Sequence, residues 1–566
     1  MKKQLDKNKT LNSLTELYGD RASWVFKNIN LLITKYQAKI KDKSHPLSEK
    51  DAILITYGDS VQQEGKSHLK TLKKFIKAYC LPIINTTHIL PCFPYTSDDG
   101  FSITDYYAID PNLGTWKDIK KLSESTNLMF DAVINHMSKS SQWFQSYLAE
   151  EEEYKDYFIS VNPEIDLSKV IRPRALPLLS PFKNKSGTEK YIWTTFSEDQ
   201  VDLNFASPEV FIAVLDVLLF YASKGAKFIR LDAVAFLWKE IGTNCLHLSQ
   251  THTIIKLYKK AIKVLTDDLY IITETNVPHK ENISYFGDGN DEADLVYNFT
   301  LAPLLVYSIM KGNVNVLTNW AQSLKFPSNN VCFFNFTASH DGIGMRPLQN
   351  IISDDEIGQL ASRAEKHGGL VGYKNNEDGT QSPYELNCNY MDLLGNPNEN
   401  DEIRVAKMML TQSLMLAFPG VPGIYIHSFV GSRNYYKGIE ESGIKRRINR
   451  EKLEYTKLVL ELNETDNLRN KVFSAYKKLL EARMQEQAFN PFGKAEYFKF
   501  EDDKVFVIKR SFKKETVYGI YNFSNQFVKM NSLEMEVVDL LSKEEVKNSF
   551  WNIDPYQFLW YKKIAN

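Results

Sequence analysis

Five short polar clusters hold the side chains that could do chemistry: Asp98, Asn135-His136, Arg230 with Asp232, Glu274, and His340-Asp341. The most informative stretch is Phe228-Ile229-Arg230-Leu231-Asp232-Ala233. Phe, Ile and Leu favour a strand, and residues two apart on a strand face the same side. Arg230 and Asp232 are therefore expected to meet. A guanidinium beside a carboxylate favours its charged form, so Asp232 is expected to stay ionised. An ionised, fixed carboxylate is what a glycosidic nucleophile needs, and it is equally half of a buried structural ion pair. This stretch alone leaves both readings open. Glu274 follows Ile271-Ile272-Thr273, and an apolar strand end is expected to raise its pKa and let it carry a proton near neutrality. A lone His or Asp at a strand end is usually a cap or turn residue. Joint occurrence of all five clusters points to a site.

The elements that would position them alternate. Apolar, strand-like runs occupy residues 52–57, 83–90, 128–134, 228–233, 270–272, 295–299, 331–336 and 419–426. Helical patterns lie at 65–79, 116–123, 208–223, 403–417 and 472–483. Strand–helix alternation with a polar residue closing each strand predicts a parallel sheet wrapped by helices, and at this length a (β/α)8 barrel with functional residues at the C-terminal strand ends. The expected organisation is a helical extension at 1–50, barrel at 51–136, an inserted subdomain after the third strand at 137–206, barrel at 207–341, an irregular Gly- and Asn-rich acceptor loop at 342–400, barrel at 401–484, and an antiparallel β domain at 485–566.

Composition excludes several classes. The chain has 566 residues, 43% hydrophobic and 13% aromatic, so a large core is available. Its 69 basic and 70 acidic residues give a net charge of −1, with no footprint for nucleic acid or an anionic membrane. The five cysteines lack metal-ligand spacing and are read as thiols in a reducing, cytoplasmic compartment. The Lys-rich start has no apolar run after it, and no stretch is long and apolar enough for a bilayer. No cofactor and no metal are expected. The expected partners are small molecules, with the chain acting as a monomer or homodimer.

The order I-N-H, F-I-R-L-D-A, I-T-E-T and S-H-D-G-I-G resembles the four signature regions of the α-amylase superfamily of retaining glycoside-processing barrels. H-I-L-P-C-F-P, D-D-G-F, G-T-N-C and R-R-I-N-R narrow the likeness to its sucrose phosphorylase branch. The resemblance runs from about residue 52 to the end. It implies that Asp232 is the nucleophile, Glu274 the acid/base and Asp341 the transition-state stabiliser. It further implies that Asp98, Phe101, His136, Gln200, Arg230, His340 and Arg446 surround one glucosyl unit, with Phe101 as its platform and Asp98 with Arg446 clamping its far edge. Arg174 and Tyr384 align with phosphate-contacting residues of that branch.

The acceptor end departs from the fructose-binding pattern. Asn276 stands for a usual histidine, Phe236 for a tyrosine and Pro383 for a leucine. T-S-D-D-G-F-S, K-N-N-x-D-G-x-Q-S-P-Y-E-L-N and I-H-S-F-V-G-S-R-N are similar to the glucosylglycerate phosphorylases of the branch, which also carry an N-terminal helical extension. The resemblance then implies reversible phosphorolysis of a glucoside of glycerate, with inorganic phosphate as co-substrate. The cationic residues expected to face the acceptor are Arg174, Lys374 and Arg433. Sucrose or glucosylglycerol phosphorylase, a retaining α-glucoside hydrolase and a non-catalytic amylase-fold scaffold are the alternatives.

Overall fold

Eight parallel strands close into a barrel: β1 (Ile53–Thr56), β2 (Thr86–Ile89), β3 (Asn127–Ala132), β4 (Ala226–Leu231), β5 (Tyr270–Thr273), β6 (Leu295–Tyr297), β7 (Cys332–Asn335) and β8 (Gly420–Tyr425). Each pairs with its neighbours in chain order, and β1 pairs with β8 to close the ring. The computed structural model describes residues 3–41, 46–173, 176–376, 379–500, 502–531, 536–546 and 550–564. The strands are short, β-branched or aromatic, and almost wholly buried, as strands covered on both faces must be. Parallel neighbours need crossovers, which helices supply. The helix Pro208–Ser223 begins with proline at its first turn, where no N–H is missed. It ends before Gly225, whose φ of 95° turns the chain into β4.

Register sets the site. Arg230 on β4 lies level with Asp131 on β3 and with Ile272 on β5. Asp232 and Glu274 are the first residues past β4 and the first past β5, so they reach the C-terminal mouth together. Asn135-His136 and Ser339-His340-Asp341 follow β3 and β7 in the same way. Between β3 and the helix 208–223, His136–Ser138 pairs antiparallel with Gln200–Asp202, and Leu179–Lys183 with Glu189–Trp193.

The segment after β7 is not the irregular loop that its composition predicts. It holds a helix, Asp354–Lys366, and an antiparallel hairpin of Leu370–Asn375 with Gln381–Asn387. A capping box of Ser353 and Glu356 starts the helix, and Ile357, Leu360, Ala361 and Ala364 bury its inner face. Gly and Asn residues at the turns mask that periodicity in the sequence. Two N-terminal helices, α1 (Lys7–Tyr18) and α2 (Ala22–Tyr36), bury Leu14, Val25, Ile29 and Ile33. Tyr18 anchors α1 by donating its hydroxyl to the carbonyl of Phe205 at 3.1 Å. At the other end, a six-stranded antiparallel sheet packs Val505, Val507 and Ile520 into a cluster with Trp551 of a two-stranded sheet.

Candidate active site

Arg230 is the hub. It is 2% exposed, and its Nη1 donates to Asp131 Oδ1 at 2.5 Å and to Asp232 Oδ1 at 2.7 Å. Its Nη2 lies 3.8 Å from Glu274 Oε2. Asp131 is held from behind by His88, whose Nε2 is 2.7 Å from Oδ2. Burial works against charge on Asp131, but His88 and Arg230 outweigh it and bring the carboxyl down to about 2. The ring faces of Phe101 and Tyr297 flank the guanidinium at 5.7 and 5.3 Å. Asp131→Asn would leave Arg230 and His88 buried against a neutral amide. The expected cost is about 3–5 kcal/mol, measurable by denaturant unfolding. A loss below about 1 kcal/mol would mean that Asp232 and Glu274 satisfy Arg230 alone.

The expectation that Arg230 favours the ionised form of Asp232 holds for that one pair, but other groups act against it. Burial raises the Asp232 pKa, and Arg230 opposes it, but Glu274, Asp131 and Asp341 raise it further. One guanidinium shared among three carboxyls cannot offset desolvation at each. Glu274 is raised by burial first, against Arg230, with Asp341 adding to the rise. The two carboxyls therefore titrate as a pair above the usual carboxylate range. Ala233, between them, takes φ 49°, a left-handed conformation that costs an L-residue about 1–2 kcal/mol. That turn points its N–H at Glu274 Oε2, 3.0 Å away.

A second wall faces this pair. The His340 ring stacks on Phe101 at 4.7 Å with 1° between planes, and meets Tyr57 edge-on at 5.9 Å. Burial pushes the His340 pKa down to about 3 and lowers that of His136, so both rings are neutral hydrogen-bonding groups at pH 7. His136 Nε2 lies 2.9 Å from the carbonyl of Phe101. Gln200 Nε2 donates to that carbonyl at 3.0 Å and to Asp98 Oδ2 at 3.3 Å. Arg446 crosses to Asp341 Oδ1 at 2.7 Å and grips Glu385 through Nη2 at 2.8 Å and Nε at 3.2 Å. Burial opposes charge on Asp341, but Arg446, His340, Arg450 and Arg230 together hold it well below the usual carboxylate range. Asp98 and Asp99 both take positive φ. This turn sends Asp99 to Arg447 and Arg450, each at 2.6 Å, while Asp98 lines the cavity.

These groups surround one cleft of about 880 Å³, open mouth included. It brings together Asp98, Phe101, His136, Gln200, Asp232, Glu274, Asn276, His340, Asp341, Tyr384 and Arg446 from the sequence reading. Arg230 lies beneath it. Three expected cations fare differently. Arg174 lies outside the described residues. Lys374 sits in the hairpin strand Leu370–Asn375, away from the cleft lining. Arg433 is bound to Asp392 through Nε and also stays out of the lining. Sequence reasoning missed Arg346, Glu385, Asp131 and His88. Arg346 lies two residues past the S-H-D-G-I-G motif, and Asp131 opens the stretch D-A-V-I-N-H, so both were in reach.

The barrel, with its carboxyls gathered at the C-terminal mouth, defines a catalytic barrel of the α-amylase type. The profile of the α-amylase catalytic domain matches residues 82–342. Glucosylglycerate phosphorylase of Escherichia coli (strain K12) is 42% identical over 561 residues, covering 98% of this chain and 100% of the relative. The glucosylglycerate phosphorylase of Allomeiothermus silvanus is 45% identical over 483 residues, covering 85% of this chain and 86% of its own. Among solved structures, the sucrose 6F-phosphate phosphorylase of Thermoanaerobacter thermosaccharolyticum shares the fold with a TM-score of 0.74 at 24% identity, over 90% of this chain and 99% of that one. The chain belongs to the α-amylase family of glycoside-processing enzymes, within the group that holds the glucosylglycerate phosphorylases.

Proposed function

We propose that the chain catalyses reversible phosphorolysis of 2-O-α-D-glucosylglycerate to α-D-glucose 1-phosphate and D-glycerate, with retention at the anomeric carbon. The observation that carries the reading is the full-length identity of 42% to a glucosylglycerate phosphorylase. The paired carboxyls on Arg230 give it a mechanism. Burial raises both groups, so the pair holds a proton more readily than two ordinary carboxyls would. Arg230 bonds directly to Asp232 but stands 3.8 Å from Glu274, which favours the anion on Asp232 and the proton on Glu274. Double displacement needs that division.

Asp232 attacks the anomeric carbon while Glu274 gives its proton to the departing glycerate oxygen. The glucosyl ester on Asp232 is then attacked by a phosphate oxygen. Glu274, now a carboxylate, takes the proton of hydrogenphosphate, Asp232 leaves, and α-D-glucose 1-phosphate is released. Asp341, kept ionised by Arg446, holds sugar hydroxyls and stabilises positive charge at the ring. Neutral His136 and His340, with Gln200 and Asp98, hold the remaining hydroxyls, and Phe101 provides the apolar face. Phosphate contact is assigned to Arg174 and Tyr384 from the likeness to the branch. The five buried, unpaired thiols support a reducing, cytoplasmic setting.

The test is phosphate release from α-D-glucose 1-phosphate with D-glycerate, glycerol or fructose as acceptor. Release is expected to be fastest with D-glycerate. A clear preference for fructose or glycerol would replace the reading with sucrose or glucosylglycerol phosphorylase and leave the barrel chemistry intact.

A further inference from the structure

Two cations line the described part of the cleft, and they are not equivalent. Arg446 is consumed by Asp341 and Glu385. The Arg346 side chain makes no hydrogen bond or ion pair among the described residues, although the residue is half-buried and sits in the wall of the cleft. Its backbone is held rigidly in a single turn, Arg346–Leu348. Met345, Pro347 and Leu348 around it are buried, and the Met345 N–H donates to the carbonyl of Tyr384 at 2.9 Å. The side chain is presented, with nothing to bind.

Its neighbours fix which end of the cleft it serves. Gly344, two residues earlier, abuts Asn276 so closely that an added Cβ would come within 2.4 Å of Oδ1. That Oδ1 is itself buried without a hydrogen-bond partner. Val277, next to Asn276, and Phe299 add apolar surface to the cleft. The glucosyl-facing groups form a separate network: Gln200 joins Asp98, His136 and the Phe101 carbonyl, and His340 stacks on Phe101. Arg346, Asn276 and Tyr384 thus belong to the end from which a leaving group departs and an acceptor enters. The cleft is otherwise hostile to an anion: Asp232, Glu274, Asp341 and Glu385 all face it. A carboxylate crossing it needs a cation at its far end, and a half-desolvated guanidinium needs an anion.

We propose that Arg346 selects an acidic acceptor, its guanidinium binding the carboxylate of a short hydroxy acid while Asn276 binds a neighbouring hydroxyl. The proposal rests on the functional reading above, in which that acid is D-glycerate. It replaces Lys374 and Arg433 as the residues that read the acceptor's charge.

The experiment compares wild type, Arg346→Gln and Arg346→Lys, using α-D-glucose 1-phosphate as donor and D-glycerate or glycerol as acceptor, together with the phosphate dependence of the reverse reaction. Removing a charge-assisted hydrogen bond to the acceptor predicts a fall of about 10- to 100-fold in the kcat/KM ratio of glycerate over glycerol for Arg346→Gln. Arg346→Lys is expected to recover part of it. An unchanged ratio, with both acceptors falling together, overturns the proposal and leaves Arg346 a structural residue. A rise in the phosphate KM at a constant acceptor ratio also overturns it and makes Arg346 a phosphate ligand. The wild-type arm reads the functional assignment separately: a preference for glycerol there rejects that assignment, and the proposal falls with it.

Discussion

Asp232→Asn is expected to reduce glucosyl transfer by about four orders of magnitude or more while leaving the fold intact. The amide is nearly isosteric and still reaches Arg230 Nη1, now 2.7 Å from Oδ1, but it cannot form the glucosyl ester. The same change carries a stability prediction of known sign. The folded-state pKa of Asp232 is raised, first by burial and then by Glu274, Asp131 and Asp341 against Arg230. A raised carboxyl costs stability that sets in as pH rises above the unfolded pKa, grows towards the folded pKa and persists above it, where both states are ionised. At pH 7 the neutral amide removes that cost. The Tm of Asp232→Asn is therefore expected to equal or exceed that of wild type, the trade between activity and stability that strained sites show. Turnover near the wild-type value would move the nucleophile elsewhere. A large drop in Tm would mean that Asp232 serves Arg230 as a structural counter-ion.

The chemistry at the barrel mouth was legible because it follows from strand arithmetic. Residues two apart on β4 share a face, and the strand ends of a parallel barrel converge at one rim. Arg230, Asp232, Glu274 and His340-Asp341 could therefore be placed from the sequence by type and order. The competition that raises the Asp232 pKa was not legible, because the sequence displays its partner Arg230 but not the competing carboxyls. Asp131 sits on the neighbouring strand, in register with Arg230, and that pairing is a tertiary fact. Desolvation is another: nothing in F-I-R-L-D-A states how little solvent reaches Arg230.

The acceptor end was less legible, for a different reason. It is built from loops whose side chains have no periodicity to fix their direction. Lys374 and Arg433 bear the right charge in the right segments, yet one lies in a hairpin strand away from the cleft and the other is taken by Asp392. Arg346 was missed although it lies two residues past a signature motif, because residue type and spacing do not separate it from a solvated charge. Its place in the cleft wall depends on the buried flanks Met345 and Leu348 and on the close approach of Gly344 to Asn276. Similarly, the helix Asp354–Lys366 was hidden by the glycines and asparagines that bound it, although its S-D-D-E start is a capping signal.

Glu274→Gln is expected to separate donors by how much their leaving group needs a proton. Glucosylglycerate releases an alkoxide-like oxygen, and loss of a general acid costs such a step about 10²- to 10⁴-fold. α-D-Glucosyl fluoride departs with little protonation, so formation of the glucosyl ester on Asp232 should fall far less. The pH profile supplies the second readout. In wild type, raising pH through the upper titration of the pair removes the proton from Glu274 and the rate falls. Lowering pH through the other titration protonates Asp232 and the rate falls again. The kcat/KM profile with glucosylglycerate is thus expected to be a bell. With glucosyl fluoride, or with Glu274→Gln, the alkaline limb should vanish and the acid limb should stay, because only Asp232 still has to be ionised. Burial raises both groups, which puts the bell at higher pH than two ordinary carboxyls would allow. Equal losses for both donors, or an alkaline limb that survives the substitution, would take the proton away from Glu274. The group responsible would then have to be sought at the acceptor end, where Tyr384 is the remaining hydroxyl with a raised pKa in the cleft wall.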